Sequence, residues 1–385
     1  MGVYLDHAAT TPMLPEAIDA FTRAMREIGN PSSIHSAGQH ARRLLEEARE
    51  AVAETLGCDP IEVVFTSGGT EAVNLALKGG FWAAAPRARR IVAPEGEHHA
   101  TLDTIDWLVA HEGAEASWVP LDREGFVDTD AWAAALQGGD VAVATALWVN
   151  NEVGTIEPVD ELAAAAASAH VPFHVDAVAA FGHVPISFRA LGAAALSVSA
   201  HKVGGPVGIG ALVLSRAARV VPIIHGGGQQ RNVRSGTQDV AAAASFAVAA
   251  RAAVASLEAE QARLSGLRDR LIAGVRAAVP EAVLSGPEGA ERVAGNAHFT
   301  FPGAQGDSLL FLLDAAGVAV STGSACQAGI PEPSHVLVAM GRTAADASSC
   351  LRITLGRTTT DADVDAFLAA LPEAYSRAAA AGFTA

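Results

Sequence analysis

Residues 62–78 read EVVFTSGGTEAVNLALK and encode a strand, a tight turn and a helix in direct succession. The apolar run at 62–66 is short, which is typical of a buried strand, and a helical run at 71–78 follows the two glycines. Further short apolar runs recur along the chain at 90–93, 141–149, 171–175, 195–199 and 210–214. Because helical stretches separate them, this alternation predicts βαβ units and an α/β fold with a mostly parallel sheet between helices.

The pattern changes in the last third of the chain. A long helical segment is predicted at 240–279, and an alternating strand follows at 296–301. Thr360 and Asp363 form a capping-box pattern before a last helix. We therefore expect two domains: a large α/β domain at 15–258, and a smaller α+β domain formed by 1–14 and 259–385.

Composition and charge exclude several classes of protein. The chain has 385 residues, 50 % hydrophobic and 18 % charged, so intrinsic disorder is excluded. It carries 26 basic and 42 acidic residues, for a net charge of −16, and has no basic run. We therefore expect no direct binding to nucleic acid or to an anionic membrane. The N-terminal residues lack the pattern of a signal peptide, and no apolar stretch is long enough to span a bilayer, which favours a cytoplasmic protein.

Three cysteines are too few and too scattered for a disulfide framework, and without a CxxC pair a zinc site is not expected. Cys58 stands at a helix end and Cys350 beside apolar strand residues, so both are interpreted as structural. Cys326 instead lies in the small, polar stretch STGSACQAG at 321–329. This setting favours a reactive thiol presented on a loop over a buried structural cysteine.

Three polar groups follow the ends of predicted strands. Lys202 stands at the end of one apolar strand, just after Ser199 and His201. Asp176 stands at the end of the strand one βαβ unit earlier. The turn at 66–71 offers free backbone N–H groups at a helix start, where an anion can bind. Each group could be incidental, since Lys202 could be a surface lysine, Asp176 an isolated carboxylate and the segment at 66–71 a plain turn. Together they favour a pyridoxal phosphate site, which needs a Schiff-base lysine, a carboxylate at the pyridinium nitrogen and a phosphate site.

Two further residues are candidates for the same site. His98 follows a strand end and could stack on a flat ring, and the pair that it forms with His99 is not expected to hold a metal ion. Arg352 lies in an apolar strand, where an unpaired guanidinium is costly. A substrate carboxylate could pair with it in two hydrogen bonds; an internal Asp or Glu is the alternative.

Seven motifs recur in an order typical of one enzyme family. They are YLDHAATTP at 4–12, GNPSS at 29–33, the run at 66–74, VNNEVG at 149–154, the stretch around His201 and Lys202, the stretch at 226–237, and GSAC at 323–326. Over nearly its whole length the chain resembles the cysteine desulfurases of the NifS/IscS type, class V enzymes of the fold-type I pyridoxal phosphate group. The segment from 326 to 333 resembles the long-loop group of that family.

The resemblance implies the fold-type I architecture, whose large domain has a seven-stranded type of sheet. It also implies the cofactor pyridoxal 5'-phosphate and a set of residues around it. They are Lys202 as covalent anchor, Asp176 at the pyridinium nitrogen, His98 on the ring face, Asn151 near the ring oxygen, Gly69, Thr70, Ser199 and His201 at the phosphate, and Thr237 from the other subunit of a homodimer. One position departs from the family, which commonly has Gln where this chain has Ala179. We therefore expect the Schiff base to titrate differently here.

The resemblance also implies a reaction. L-cysteine is converted to L-alanine, with Lys202 and His98 as catalytic residues, Cys326 as the thiol that takes the sulfur as a persulfide, and Asn151 and Arg352 binding the substrate. The sulfur then passes to an acceptor protein for iron–sulfur cluster assembly or tRNA thiolation. A selenocysteine lyase or a class V aminotransferase of the same fold is the alternative, and an aminotransferase would not need Cys326. A non-catalytic sulfur scaffold, which would tolerate loss of Lys202, is less favoured.

Overall fold

The computed structural model describes residues 2–323 and 332–382. Within these ranges the strands are β1 (Val3–Tyr4), β2 (Val63–Thr66), β3 (Arg90–Pro94), β4 (Glu115–Val119), β5 (Val141–Leu147), β6 (Phe173–Asp176), β7 (Ala195–Ser199), β8 (Gly210–Leu214), β9 (Val283–Leu284), β10 (Asn296–Thr300), β11 (Val318–Ala319) and β12 (Cys350–Thr354). The helices are α1 (Pro15–Met25), α2 (Ser36–Leu56), α3 (Gly69–Ala84), α4 (His99–Glu112), α5 (Thr129–Ala135), α6 (Val159–Ser168), α7 (Phe188–Leu191), α8 (Val240–Ala255), α9 (Leu257–Ala278), α10 (Gly306–Ala315), α11 (His335–Ala339), α12 (Ala344–Ser348) and α13 (Asp361–Ala381).

The central sheet has seven strands in the order β2-β8-β7-β6-β5-β3-β4. All neighbours are parallel except β8, which runs antiparallel to both β2 and β7. Every residue of β5, β6, β7 and β8 is buried, as expected for strands with helices on both faces. The predicted α/β fold with a mostly parallel sheet is confirmed, and the predicted strand ends differ from the observed ones by at most two residues.

A second, smaller core surrounds a three-stranded antiparallel sheet in the order β12-β10-β9 and the short parallel pair β1–β11. Apolar side chains of α9, α10 and α13 pack against it. The predicted capping box is present: Thr360 accepts from the backbone of Asp363, and the Asp363 carboxylate accepts from the backbone of Thr360. The division into domains at residues 15 and 258 stays a prediction.

The helix predicted at 240–279 is wrong as one unit, since α8 and α9 meet at 68° around Ser256. The Ser256 hydroxyl donates to the Ala252 carbonyl (2.9 Å), a bond that bends helices. The bend also lets α8 pack against α1 and α2 while the leucines of α9 enter the smaller core. Among the described residues no single helix is long and apolar enough to cross a membrane; α8 and α9 meet those criteria only when taken together.

The topology brings several chain ends to one edge of the central sheet. Asp176 is the last residue of β6 and Ser199 is the last residue of the neighbouring β7. Because β8 is antiparallel to both of its neighbours, β2 runs in the same direction as β7. Its end at Thr66 therefore leads into α3 at the same edge, where ligands bind in open α/β sheets.

Replacing Phe299 by Ala tests the smaller core. Phe299 is fully buried on β10, so we expect a cavity that lowers the free energy of unfolding by about 3–5 kcal/mol. Phe311→Ala is the matched control, because Phe311 is 70 % exposed and its loss should cost less than about 0.5 kcal/mol. Urea unfolding of both variants measures the difference. Equal midpoints for the two variants would contradict the packing described for this core.

Candidate active site

A cavity of about 290 Å³ opens at this edge of the sheet. The structure brings nine of the predicted site residues together in its lining: Gly69, Thr70, His98, Asn151, Asp176, Ser199, His201, Lys202 and Arg352. Thr237 is exposed and does not line the cavity of its own chain, so its predicted role toward a second subunit stays a prediction. Cys326 lies outside the described residues.

The carboxylate of Asp176 lies in the wall of this cavity. It is only 6 % exposed, and its Oδ1 accepts a hydrogen bond from the backbone of Val178 (2.9 Å). Burial raises the pKa of Asp176 to about 6, although the nearby positive charge of Lys202 opposes the shift. A buried carboxylate of this kind is stabilised by a cation placed against it. A protonated pyridine nitrogen meets that requirement, so Asp176 fits pyridoxal phosphate.

The N-terminus of α3 forms another part of the lining. A Cβ atom on Gly69 would lie 2.5 Å from Cγ2 of Val178, so glycine lets the helix start this close to Val178, two residues after Asp176. Thr70, Ser199 and His201 add polar side chains beside the free N–H groups of the helix. These groups suit a phosphate, which is the second requirement of the cofactor.

Lys202 contacts the N-terminal segment of the chain. Its Nζ donates to the carbonyl oxygens of Ala8 and Ala9, the latter at 2.9 Å. Thr11 donates its backbone N–H to the carbonyl of His201 (3.1 Å), which keeps the segment against this turn. Sequence reasoning missed these contacts: residues 4–12 recur as a family motif, but nothing in their composition indicates a position beside Lys202.

His98 is a neutral ring in the cavity wall. Its Nδ1 accepts from the backbone of Ala100 (3.0 Å) and so caps α4. Burial, and then the charge of Lys202, lower the pKa of His98 to about 4. Its predicted stacking on the cofactor ring stays a prediction. No group of three or more His, Cys, Asp or Glu side chains in the described part of the chain is placed to hold a metal ion.

Arg352 has an internal partner and also lines the cavity. Its Nη2 donates to Oδ1 of Asp6 (3.0 Å), and its Nη1 donates to the carbonyl of Asn151 (3.0 Å). The internal acid that the sequence left open is thus Asp6, 346 residues away along the chain. A guanidinium has five N–H donors, and Nε of Arg352 has no hydrogen-bond partner among the described residues. Pairing with Asp6 therefore leaves donor capacity for a substrate carboxylate.

A buried histidine below the cavity makes the stability depend on pH. His174 lies on β6, with Nδ1 2.8 Å from the Thr145 hydroxyl and Nε2 2.8 Å from the Ser197 hydroxyl. Burial lowers the pKa of His174 to about 3, so the folded chain keeps it neutral at a pH where the unfolded chain protonates it. Its contribution to the free energy of unfolding is therefore lost as the pH falls from about 6.5 towards 3.

The variant His174→Asn should lose less stability in acid than the parent chain. Between pH 7 and pH 5 the parent chain should lose about 2 kcal/mol more of its free energy of unfolding than the variant. The reason is that His174 binds a proton in this range only when the parent is unfolded. Urea unfolding at the two pH values measures this difference. The same pH dependence in both chains would show that His174 does not titrate as its burial demands.

Comparison with known proteins places the chain in a family. The family model described as "Aminotransferase class-V" matches residues 3–367. An IscS-like cysteine desulfurase of Mycobacterium tuberculosis is 54 % identical, covering 99 % of this chain and 98 % of the relative. Cysteine desulfurase IscS of Dictyoglomus turgidum is 42 % identical, covering 94 % of this chain and 92 % of the relative.

Solved structures of similar proteins indicate the same family as the sequence comparisons. A NifS-like protein superimposes with a TM-score of 0.91 at 34 % identity, covering 98 % of this chain and all of the other. A structure titled "SspA in complex with cysteine" gives a TM-score of 0.79 at 30 % identity, covering 91 % of this chain and 98 % of the other. The chain therefore belongs to the class-V aminotransferase family, a family of pyridoxal-phosphate-dependent enzymes, among its cysteine desulfurases of the IscS and NifS type.

Proposed function

We propose that the chain takes the sulfur of L-cysteine, releases L-alanine and holds the sulfur as a persulfide on Cys326. The observation that supports this most is the cavity itself. It gathers a lysine amine, a buried carboxylate and a helix N-terminus, which suit pyridoxal phosphate, beside an arginine with spare donors, which suits an amino acid carboxylate. The full-length likeness to cysteine desulfurases supports the choice of substrate.

Pyridoxal phosphate, when bound, supplies an electron sink that makes the Cα proton of an amino acid easier to remove. In our proposal Lys202 holds it covalently, Asp176 binds its ring nitrogen and His98 packs on its ring. Its phosphate is held by Gly69, Thr70, Ser199 and His201, and by Thr237 of a second subunit. These residues would orient the cofactor, and the Asp176 carboxylate would keep its ring nitrogen protonated.

The chain's own groups then bind the substrate and move one proton. Arg352 binds the carboxylate of L-cysteine, and Asn151 contacts the substrate from the neighbouring turn. Once released from the cofactor by the amino group of the substrate, the Nζ of Lys202 would take the proton from Cα. The carbonyl oxygens of Ala8 and Ala9 accept N–H bonds from that amine, so they stabilise it once it is protonated.

Sulfur transfer needs a thiolate near the substrate. The Cys326 thiolate forms an S–S bond to the substrate sulfur while the substrate Cβ–S bond breaks and leaves its electron pair with the carbon skeleton. Cβ then takes a proton from solvent, and Lys202 returns the proton to Cα, which gives L-alanine. Gly323 lines the cavity, and three peptide units reach at most about 11 Å, so the chain can bring Cys326 to the substrate. Burial raises the pKa values of Cys58 and Cys350 to about 12, which makes these two thiols unsuited to the role.

Two finer points belong to the same proposal. The active form is a homodimer, since Thr237 is exposed here and is expected at the cofactor of a second copy. Its proposed location is the cytoplasm. The persulfide sulfur passes to an acceptor protein, either an iron–sulfur scaffold or a tRNA-thiolating enzyme. Selenocysteine lyase and aminotransferase activities are not favoured, because the relatives with high identity over the full length are named cysteine desulfurases.

Replacing Cys326 by Ala tests the sulfur acceptor. The variant should still bind L-cysteine, seen as a change in cofactor absorbance, but should form no persulfide and release alanine at least about a hundredfold more slowly, because its nucleophile is gone. Cys350→Ala is the matched control and should keep persulfide formation, since Cys350 is buried on β12. Alanine release at the parent rate by Cys326→Ala, without added thiol, would contradict the proposal.

Replacing Ala179 by Gln tests the position that departs from the family. Ala179 lines the cavity, so the new amide can hydrogen-bond to the ring oxygen of the bound cofactor. The pH midpoint of the cofactor absorbance should move by more than about 0.5 unit. Ala179→Leu fills the same space without an amide and should move it less. Superimposable titrations of the parent and the Gln variant would show that this position does not tune the cofactor.

A further inference from the structure

Glu152 is a buried carboxylate that the reaction above does not use. It is 2 % exposed and follows Asn151 in the turn 150–154, but it does not line the cavity. A charged side chain this deeply buried is costly unless other groups compensate it. The contacts of Glu152 therefore indicate the role of an acidic residue at this position.

The Glu152 side chain contacts residues on both sides of the stretch 324–331. Ser334 donates its hydroxyl to Oε2 at 2.5 Å, a distance typical of an O–H bond to a charged oxygen. A Cβ atom on Gly323 would lie 2.3 Å from the same oxygen, so the backbone of Gly323 packs directly against it. The Nδ1 atom of His335 lies 4.0 Å from Oε1. One carboxylate thus contacts the chain on both sides of the stretch 324–331.

The backbone that carries Glu152 is itself fixed. The Asn150 side chain accepts from the backbone N–H groups of Glu152 (2.9 Å) and Val153 (3.1 Å). On the other face, Asn296 donates to the carbonyl of Glu152 (2.9 Å), and the buried Arg292 donates to the carbonyl of Val153 (2.7 Å). Because both faces of the turn are bonded, the carboxylate is a fixed point for Gly323 and Ser334.

We propose that Glu152 is a positioning residue for sulfur transfer. It fixes Gly323, which lines the cavity, and Ser334, which caps α11, and so determines where the chain that carries Cys326 is attached. This inference rests on the proposed role of Cys326 as sulfur acceptor. Since the Glu152 side chain lies outside the cavity lining, its loss should slow the transfer of sulfur without weakening the binding of L-cysteine.

The test uses the holoenzyme with Glu152→Gln, Ser334→Ala and the double variant. Single-turnover labelling of the persulfide on Cys326 gives the transfer rate, and cofactor absorbance gives the Kd of L-cysteine. Glu152→Gln should slow transfer about tenfold, because the hydrogen bond from Ser334 loses its charged acceptor, while the Kd stays within about twofold. The double variant should be no more than about twofold slower than the slower single variant, as expected for residues acting as one unit.

Glu157→Gln is the matched control. Glu157 is 3 % exposed and accepts from the backbone of Val127 (3.0 Å), and no contact joins it to Gly323 or Ser334. Its variant should transfer sulfur at the parent rate. The inference would be overturned if Glu152→Gln transferred sulfur at the parent rate, or if Glu157→Gln slowed the transfer as much as Glu152→Gln does. Either result would leave the proposed function standing as long as Cys326→Ala forms no persulfide. Persulfide-independent turnover by Cys326→Ala would instead overturn the proposed function.

Discussion

A negative charge buried at the end of β6 is the feature on which the site depends. Burial raises the pKa of Asp176 to about 6, even though the backbone N–H of Val178 and the positive charge of Lys202 act to lower it. The parallel sheet supplies the geometry, since β6 and β7 end side by side and place Asp176 and the turn with Lys202 at one edge. In the proposed function, this carboxylate binds the cationic ring of the cofactor and Lys202 beside it anchors that ring.

The N-terminal segment connects this edge with the smaller core. Asp6 pairs with Arg352, and the carbonyls of Ala8 and Ala9 accept from Lys202, so a few residues contact both the proposed substrate anchor and the proposed cofactor anchor. The turn 150–154 makes a similar connection, because it carries Asn151 into the cavity while Arg292 and Asn296 hold it from the smaller core. Displacement of either segment would therefore move residues of the proposed cofactor site and of the proposed substrate site together.

Local patterns in the sequence predicted the parts of the fold that local physics controls. The strand–turn–helix unit at 62–78, the capping box at Thr360 and the strand end at Asp176 depend on nearby residues, and the structure has them. Lys202 lies three residues beyond the end of β7, in a short 3-10 turn. The break at Ser256 was missed because it depends on which core each half of the segment enters. Asp6 as partner of Arg352 was missed because that pair forms only when the chain ends meet. The place of Thr237 depends on a second subunit and stays a prediction.

The central claim is that Lys202 and Asp176 face one pyridoxal phosphate. The most direct measurement reduces the holoenzyme with borohydride and maps the residue that carries the cofactor by peptide mass spectrometry, in the parent chain and in Asp176→Asn. The account predicts the label on Lys202, and a much lower yield in the variant because the ring nitrogen has lost its charged partner. A label on Lys78, the other lysine of the chain, or no label at all, would contradict it.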